Sequence, residues 1–237
     1  MNKSPPVHNI SLNNLEVVVF DVDGTLYNQS LLRKKMLFSL MKYFVFRPWK
    51  INELFILYHF RKEREQNKGF KGPNLNEQQY IWCRQKVNQP IDKIKEVVSK
   101  WIFNYPNQFL KACTYPGIHL LFKSLAEKNI RIAIYSDYDS IEKMKAMELK
   151  ADLYVSSTDA QINAFKPNPD GLEFICTKFG ITDKNQCLFI GDRLELDGEC
   201  AKAAGVPFVL VNDVSVNNSL FKNLSKQVLN VVKQETL

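Results

Sequence analysis

The sequence has no run of ~18 uncharged apolar residues, so a membrane-spanning helix is not expected. It has no C-x-x-C pair. Its five cysteines (Cys83, Cys113, Cys176, Cys187 and Cys200) are scattered, and neither a zinc site nor a disulfide framework fits their odd number and spacing. Reduced thiols in a cytosolic protein are expected instead. Histidine is scarce, and His8, His59 and His119 are isolated, so none is assigned a catalytic role. The opening MNKSPPVHNISLNN is polar and lacks the apolar stretch of a secretory signal, which points to a cytoplasmic location. There is no internal repeat, no low-complexity tract and no DNA- or RNA-binding motif, so no nucleic-acid partner is expected.

One further shortage is local. Residues 27–112 hold only 6 acids against 17 lysines and arginines, a net charge of +11, while the segments before and after it each carry −2. The whole excess of basic charge therefore lies in one segment, either as a solvated helical surface or as a face for an anionic partner. What the chain does have is ordinary globular composition, 45% apolar and 24% charged. At 237 residues it fits one large domain, or a core with a modest insertion.

The hydrophobic period changes along the chain. EVVVF (16–20) reads as a buried strand. From 31 to 103 the pattern is helical. Leu37, Leu40, Met41, Phe44 and Val45 share one face, and Ile51, Leu54, Phe55 and Tyr58 share another. Tyr80, Ile81 and Val87 mark a third helix, and Ile91, Ile94, Val98 and Trp101 a fourth. After Tyr115-Pro116-Gly117, strands RIAIYS (131–136), DLYVSS (152–157), CLFIG (187–191) and PFVLVN (207–212) alternate with helices over 117–128, 139–149, 169–179 and 198–204. This alternation predicts a parallel sheet covered by helices. The helical block 28–112 reads as an insertion into that core, which comprises 1–27 and 113–237.

Ligands of open parallel sheets bind beyond the carboxyl ends of the strands. The first strand delivers Asp21 and Asp23 there, the second Ser136 and Asp137, and the fourth Gly191-Asp192 followed by Asp197. Lys166 precedes the helix at 169. Several carboxylates in one crevice repel one another unless a cation lies among them, and Mg²⁺ with its oxygen ligands suits the set. Asp21 and Asp23 are two apart, so an extended strand points both the same way, and Gly24 then allows a sharp turn. One carboxylate can attack while the other handles protons.

DVDGT (21–25), IAIYSD (132–137), FKPNPD (165–170) and FIGDRLELDGECAKAAG (189–205) together resemble, in order, the four motifs of the haloacid dehalogenase superfamily in its phosphatase branch. The resemblance implies an α/β fold, a doubly wound parallel sheet of Rossmann-like type with an inserted α-helical cap of the C1 type. It implies Asp21 as nucleophile and Asp23 as acid and base. Mg²⁺ would be held by Asp21, Asp192 and the backbone carbonyl of Asp23. Ser136, Asp137 and Lys166 would bind the substrate phosphate, and Lys166 would also neutralise charge during transfer. Asp197, Thr25 and Gly24 support this set. Asp137 stands where Asn is commoner in the family. Asp23 argues against carbon–halogen cleavage, whose ester intermediate needs no leaving-group acid.

The expected activity is Mg²⁺-dependent hydrolysis of a small phosphorylated metabolite. A phosphomutase, or a non-catalytic binding protein on the same fold, are the alternatives. The aromatic, basic stretch MLFSLMKYFVFRPWKINELFILYHFRKER reads first as the cap's own core, with contact to a membrane surface or a lipid-like substrate as the sharper alternative. Lys68 and Lys71 in the loop 67–74 are candidates for gripping the far end of a substrate. The amphipathic tail from Leu220 to Val232 has two options, packing on the core or on a partner; oligomeric state is not readable.

Overall fold

The computed structural model describes residues 14–211 and 214–230. The readings of the N-terminal stretch, His8 included, and of the tail past Asn230 concern residues outside these. Strand β1 (Val17–Phe20) is followed by five helices: α1 (Gln29–Val45), α2 (Asn52–Gln66), α3 (Leu75–Val87), α4 (Ile91–Val98) and α5 (Asn107–Cys113). The chain then alternates: α6 (Ile118–Glu127), β2 (Arg131–Ser136), α7 (Ile141–Ala146), β3 (Leu153–Ser156), α8 (Asp170–Phe179), β4 (Cys187–Gly191), α9 (Glu199–Ala204), β5 (Phe208–Leu210) and α10 (Val214–Asn230). The fold is α/β, as expected.

The five strands form one sheet in the order β3-β2-β1-β4-β5, and every neighbouring pair is parallel. Strand alternation sends side chains to two apolar layers. Val18, Phe20, Ile134 and Ile190 enter one buried cluster, and Val17, Val19, Tyr135 and Phe189 the other. Burial on both faces is why these strands read as unbroken apolar runs. The tail packs on the core: Phe221, Leu224 and Val228 of α10 are buried, and the Ser225 hydroxyl lies 2.8 Å from that of Ser124 on α6.

The inserted helices depart from the faces read in the sequence. In α1 the buried residues are Leu32, Met36 and Phe44, while Leu37, Met41 and Val45 are exposed. In α2 the buried face is Ile56, Leu57 and Phe60, while Ile51, Phe55 and Tyr58 are exposed. Apolar residues occur on more than one side of each helix, and only one side finds a core. The opposite side leaves large side chains in solvent, each forgoing about 1.5–3 kcal/mol that burial would supply. The reading of the stretch's apolar face as the insertion's own core holds for Met36, Phe44, Ile56, Leu57 and Phe60 and not for the exposed side. The third and fourth helices keep most of their expected inner residues: Tyr80 is buried in α3, and Ile94 and Val98 in α4, with Trp101 just beyond, whereas Ile81 is exposed and Val87 and Ile91 are half-buried. Trp101 donates its indole N–H to buried Glu53 at 3.0 Å.

Candidate active site

Register brings the functional side chains to one edge. Phe20 is level with Ile134 of β2 and with Ile190 of β4. Asp21 thus leaves the sheet beside Tyr135 and Gly191, one residue short of Ser136 and Asp192. β1 ends at Phe20 and a turn begins at Asp23, so strand alternation no longer governs the second carboxylate. Gly24 makes that turn at φ +99°, and a Cβ there would collide with the Asp192 carboxylate. The site's shape thus requires glycine at this position. Thr25, fully buried, donates its hydroxyl to Asp21 Oδ2 at 3.1 Å.

Lys166 sits at the centre. Its buried Nζ donates to Asp21 Oδ1 at 2.8 Å, to Asp197 Oδ1 at 2.7 Å and to the carbonyl of Tyr135 at 2.9 Å. Burial works against its charge, but Asp197 and Asp21 outweigh it and hold the ammonium well above its ordinary pKa. Asp21, Asp192 and Asp197 each place a carboxylate oxygen within 4.8 Å of the others. Burial pushes the Asp21 carboxyl well up; Lys166 pulls it down, and Asp197 and Asp192 add to the rise. Burial, then Asp197, push Asp192 up to about 7. Three carboxylates against one ammonium leave uncompensated negative charge, and all-oxygen donors of this kind suit a hard divalent cation.

Asp23 faces a different lysine. Lys143 of α7, itself buried, reaches the two Asp23 oxygens at 2.5 and 2.7 Å, and the Tyr27 hydroxyl also donates to Asp23. Burial raises the Asp23 carboxyl, yet Lys143 and then Tyr27 outweigh it and hold it below its ordinary value. Ser136 is buried at the end of β2, its hydroxyl accepting from the Tyr138 amide at 3.3 Å. The Asp137 carboxylate accepts from the Ser157 hydroxyl at 2.8 Å.

The insertion meets this edge through α2 and the loop that follows it. Arg64 of α2 donates to the Asp137 carbonyl at 2.8 Å and stacks over the Tyr138 and Phe165 rings. Glu65 of α2 pairs with Arg193 at 2.8 Å, and hydrogen bonds from Arg193 and Lys68 hold its carboxyl at about 2. The 67–74 loop runs along the Lys166 segment: the Gly69 amide donates to the Lys166 carbonyl at 3.0 Å and the Phe165 amide to the Phe70 carbonyl at 2.9 Å. Lys71 pairs with Asp170 and does not border the cavity beside the site, whereas Lys68 does. That cavity, of 860 Å³, reaches Asp23, Lys143 and Lys166 and is bounded by α1, α2 and the Trp101 region.

The structure brings together the residues that the four motifs supply, Asp21, Asp23, Gly24, Thr25, Ser136, Asp137, Lys166, Asp192 and Asp197, and leaves out Lys71. Sequence reasoning missed Tyr27, Arg64 and Lys143. A lysine in SIEKMK and an arginine in FRKERE look like solvated helix charges, and only the fold shows them buried. Lys143 carries a direct expectation. Lys143→Met should raise the Asp23 pKa by removing its main counter-charge, with Lys143→Arg keeping part of the depression. Carboxylate NMR titration of the two variants checks this.

Comparisons with known proteins bear on the fold and the family. Among curated proteins no sequence matches the chain. Solved structures with the same fold include a phosphonoacetaldehyde hydrolase-like protein from Oleispira antarctica, 14% identical with a TM-score of 0.53, over 98% of this chain and 90% of that one. A β-phosphoglucomutase from Clostridium difficile is 14% identical with a TM-score of 0.55, over 91% and 97%. A protein described as a phosphoglycolate phosphatase from Lactobacillus plantarum is 19% identical with a TM-score of 0.50, over 90% and 91%. At these identities the likeness shows the fold alone. The profile of the haloacid dehalogenase-like hydrolases, by contrast, matches residues 18–211, which span β1 to the end of β5 and every residue of the edge just described. The chain belongs to the haloacid dehalogenase-like hydrolase family.

Proposed function

We propose that this protein is a Mg²⁺-dependent phosphomonoesterase that works through a phosphoryl group carried on Asp21. One observation carries the reading: Lys166 bridges Asp21 and Asp197 within a cluster of three carboxylates at the sheet's carboxyl edge. In the proposed cycle, Ser136 and Lys166 hold the phosphate oxygens. Asp21 attacks phosphorus, and the bond to the ester oxygen breaks. Asp23 gives that oxygen its proton. Asp23 then takes a proton from water, whose oxygen attacks phosphorus, and phosphate leaves with Asp21 restored. Lys166 offsets the charge that builds in both halves, the usual need in phosphoryl transfer.

Asp21, Asp192 and the Asp23 carbonyl would hold the metal, with Asp197 keeping Lys166 in place. When bound, Mg²⁺ supplies the positive charge that the three carboxylates lack. Lys143 keeps Asp23 ionised, which suits it to the water step; the donor step requires that pair to loosen as substrate enters. The inserted helices would act as a cap that excludes water over the site.

The test is release of inorganic phosphate from p-nitrophenyl phosphate with Mg²⁺ and with chelator. Release only with Mg²⁺ supports the reading, and none above background overturns it. Metal binding also has a readout independent of turnover. Mg²⁺ at a hundred times its Kd should stabilise the fold by about 2.7 kcal/mol, raising Tm by roughly 5–10 °C for a chain of this size. Asp192→Asn should remove most of that rise in thermal melts.

A further inference from the structure

Resting on the phosphatase reading, we infer that the substrate is an amphiphilic phosphate monoester, taken from an anionic lipid surface on which the α1–α2 end of the inserted helices docks. The cavity carries the first half of this inference. It reaches Asp23, Lys143 and Lys166, and its lining is mixed: Leu32, Met36 and Leu40 of α1, Leu54 and Leu57 of α2 and Ile102 give it a large apolar part, while basic side chains such as Arg33, Arg61 and Lys62 also border it. At 860 Å³ it is far larger than a phosphate group needs. A small, polar metabolite bound beside Asp23 and Lys166 would leave the apolar part facing water. An alkyl or polyisoprenoid chain attached to the same phosphate would cover it.

The outer surface carries the second half. Around the cavity mouth, Leu37 of α1 and Tyr58 of α2 both line the opening and stand in solvent. Beyond them Phe38 is 71% exposed, Val45 73%, Trp49 73% and Phe55 58%. Soluble chains rarely leave so many large apolar side chains of one segment in water without a partner surface. The charge around them selects the partner. Residues 27–52 contain Arg33, Lys34, Lys35, Lys42, Arg47 and Lys50 and not one acid. A second copy of this face would set like charges against like, whereas an anionic bilayer matches both the bases and the apolar side chains between them. Exposed Trp49, in the short corner joining α1 to α2, has the amphipathic ring favoured at membrane interfaces. Among the described residues no helix is long and apolar enough to cross a membrane, so the contact is with the surface. The small soluble metabolite expected from the sequence gives way, in this inference, to an ester with an apolar tail.

The test uses the full chain with two kinds of vesicle, phosphatidylcholine alone and phosphatidylcholine with about one-third phosphatidylglycerol. The protein should sediment with the anionic vesicles and stay in solution with the neutral ones. The double variant Phe38→Ser/Trp49→Ser should bind them at least tenfold more weakly, on the order expected when interfacial aromatic anchors are lost. Lys34→Glu/Lys42→Glu should remove the preference for anionic lipid. Both double variants should hydrolyse p-nitrophenyl phosphate at the wild-type rate. Across a series of n-alkyl phosphates, kcat/KM should rise by up to about fourfold per methylene until the apolar part is covered. No sedimentation, equal sedimentation with both vesicles, or a flat chain-length series would overturn the inference. So would a concentration-dependent dimer, abolished by Phe38→Ser/Trp49→Ser, in a protein that ignores vesicles. Phosphate release from soluble esters with any of those results would leave the phosphatase reading intact. Vesicle binding with no release from any ester would instead remove the phosphatase reading and the substrate half of this one, leaving the docking face.

Discussion

Asp21→Asn is expected to lower phosphate release by on the order of 10⁴-fold or more, the scale seen when a covalent nucleophile is removed. The fold should survive the change. Asn fills the same volume, and its carbonyl oxygen can accept from Lys166 or Thr25 as the carboxylate does. The substitution also takes one negative charge from a buried cluster in which Asp21 is already pushed well above its ordinary pKa. Stability should therefore hold or rise slightly, and the melting curve separates lost chemistry from lost structure. The two variants Asp21→Asn and Asp23→Asn should differ in kind. Asp23→Asn keeps the attacking group, so it should depend strongly on the leaving group: mild with p-nitrophenyl phosphate, severe with an alkyl phosphate that needs a proton. If Asp21→Asn works at the wild-type rate on both esters, phosphoryl transfer to Asp21 is not the mechanism.

Much of this site could be read before the fold was in hand, for a physical reason. Strand-end positions of a parallel sheet converge, so Asp21, Ser136 and Asp192 could be placed together from the ends of three apolar runs alone. Lys166 and Asp197 follow from loop position relative to those strands. The strand order was not legible, because any order of parallel strands is compatible with the same alternation. Lys143 and Arg64 were not legible either: their neighbours are polar, and burial comes from α7 and α2 closing against the sheet edge. The exposed faces of α1 and α2 failed for a related reason. Leu37, Met41 and Val45 have the spacing of a buried stripe, as do Ile51, Phe55 and Tyr58. Spacing identifies a face but not what covers it. Here the packed stripes are Leu32, Met36 and Phe44, and Ile56, Leu57 and Phe60.

That difference gives the insertion a packed inner surface and an exposed apolar outer one. Its inner contacts, Arg64 to Asp137, Glu65 to Arg193 and the Gly69–Phe70 backbone to the Lys166 segment, tie it directly to the catalytic edge. A disturbance of α2 would thus reach Asp137 through Arg64, and Lys166 through the 67–74 loop that follows the helix. The segment that carries the excess positive charge is the one that borders the cavity, which places attraction for an anionic ligand and access to Asp23 in one structural unit.

Lys166→Met should be the most damaging single change to stability, and it should lower activity as well. The ammonium is 2% exposed and bonded to two carboxylates and a carbonyl. Methionine nearly matches its length and fills the space, so cavity formation contributes little. What remains is a buried group of three carboxylates with no counter-charge. Breaking a buried pair on one side costs about 3–5 kcal/mol, which for a chain of this size lowers Tm by roughly 6–20 °C. Catalysis loses the charge facing the phosphoryl group, and kcat should fall by about 10²–10³-fold, as when one preorganised donor is removed. The double variant Lys166→Met/Asp197→Asn tells the two losses apart. Asp197 bonds Lys166 and the Arg193 amide, and deleting its charge removes one of the carboxylates left without a partner. Stability should recover in part while kcat stays down, so the coupling between the two positions is large in thermal melts and small in kinetics. Equal melting of wild type and Lys166→Met would mean that the ammonium does not balance this cluster. Recovery of kcat in the double variant would mean that Lys166 serves the fold and not the phosphoryl group.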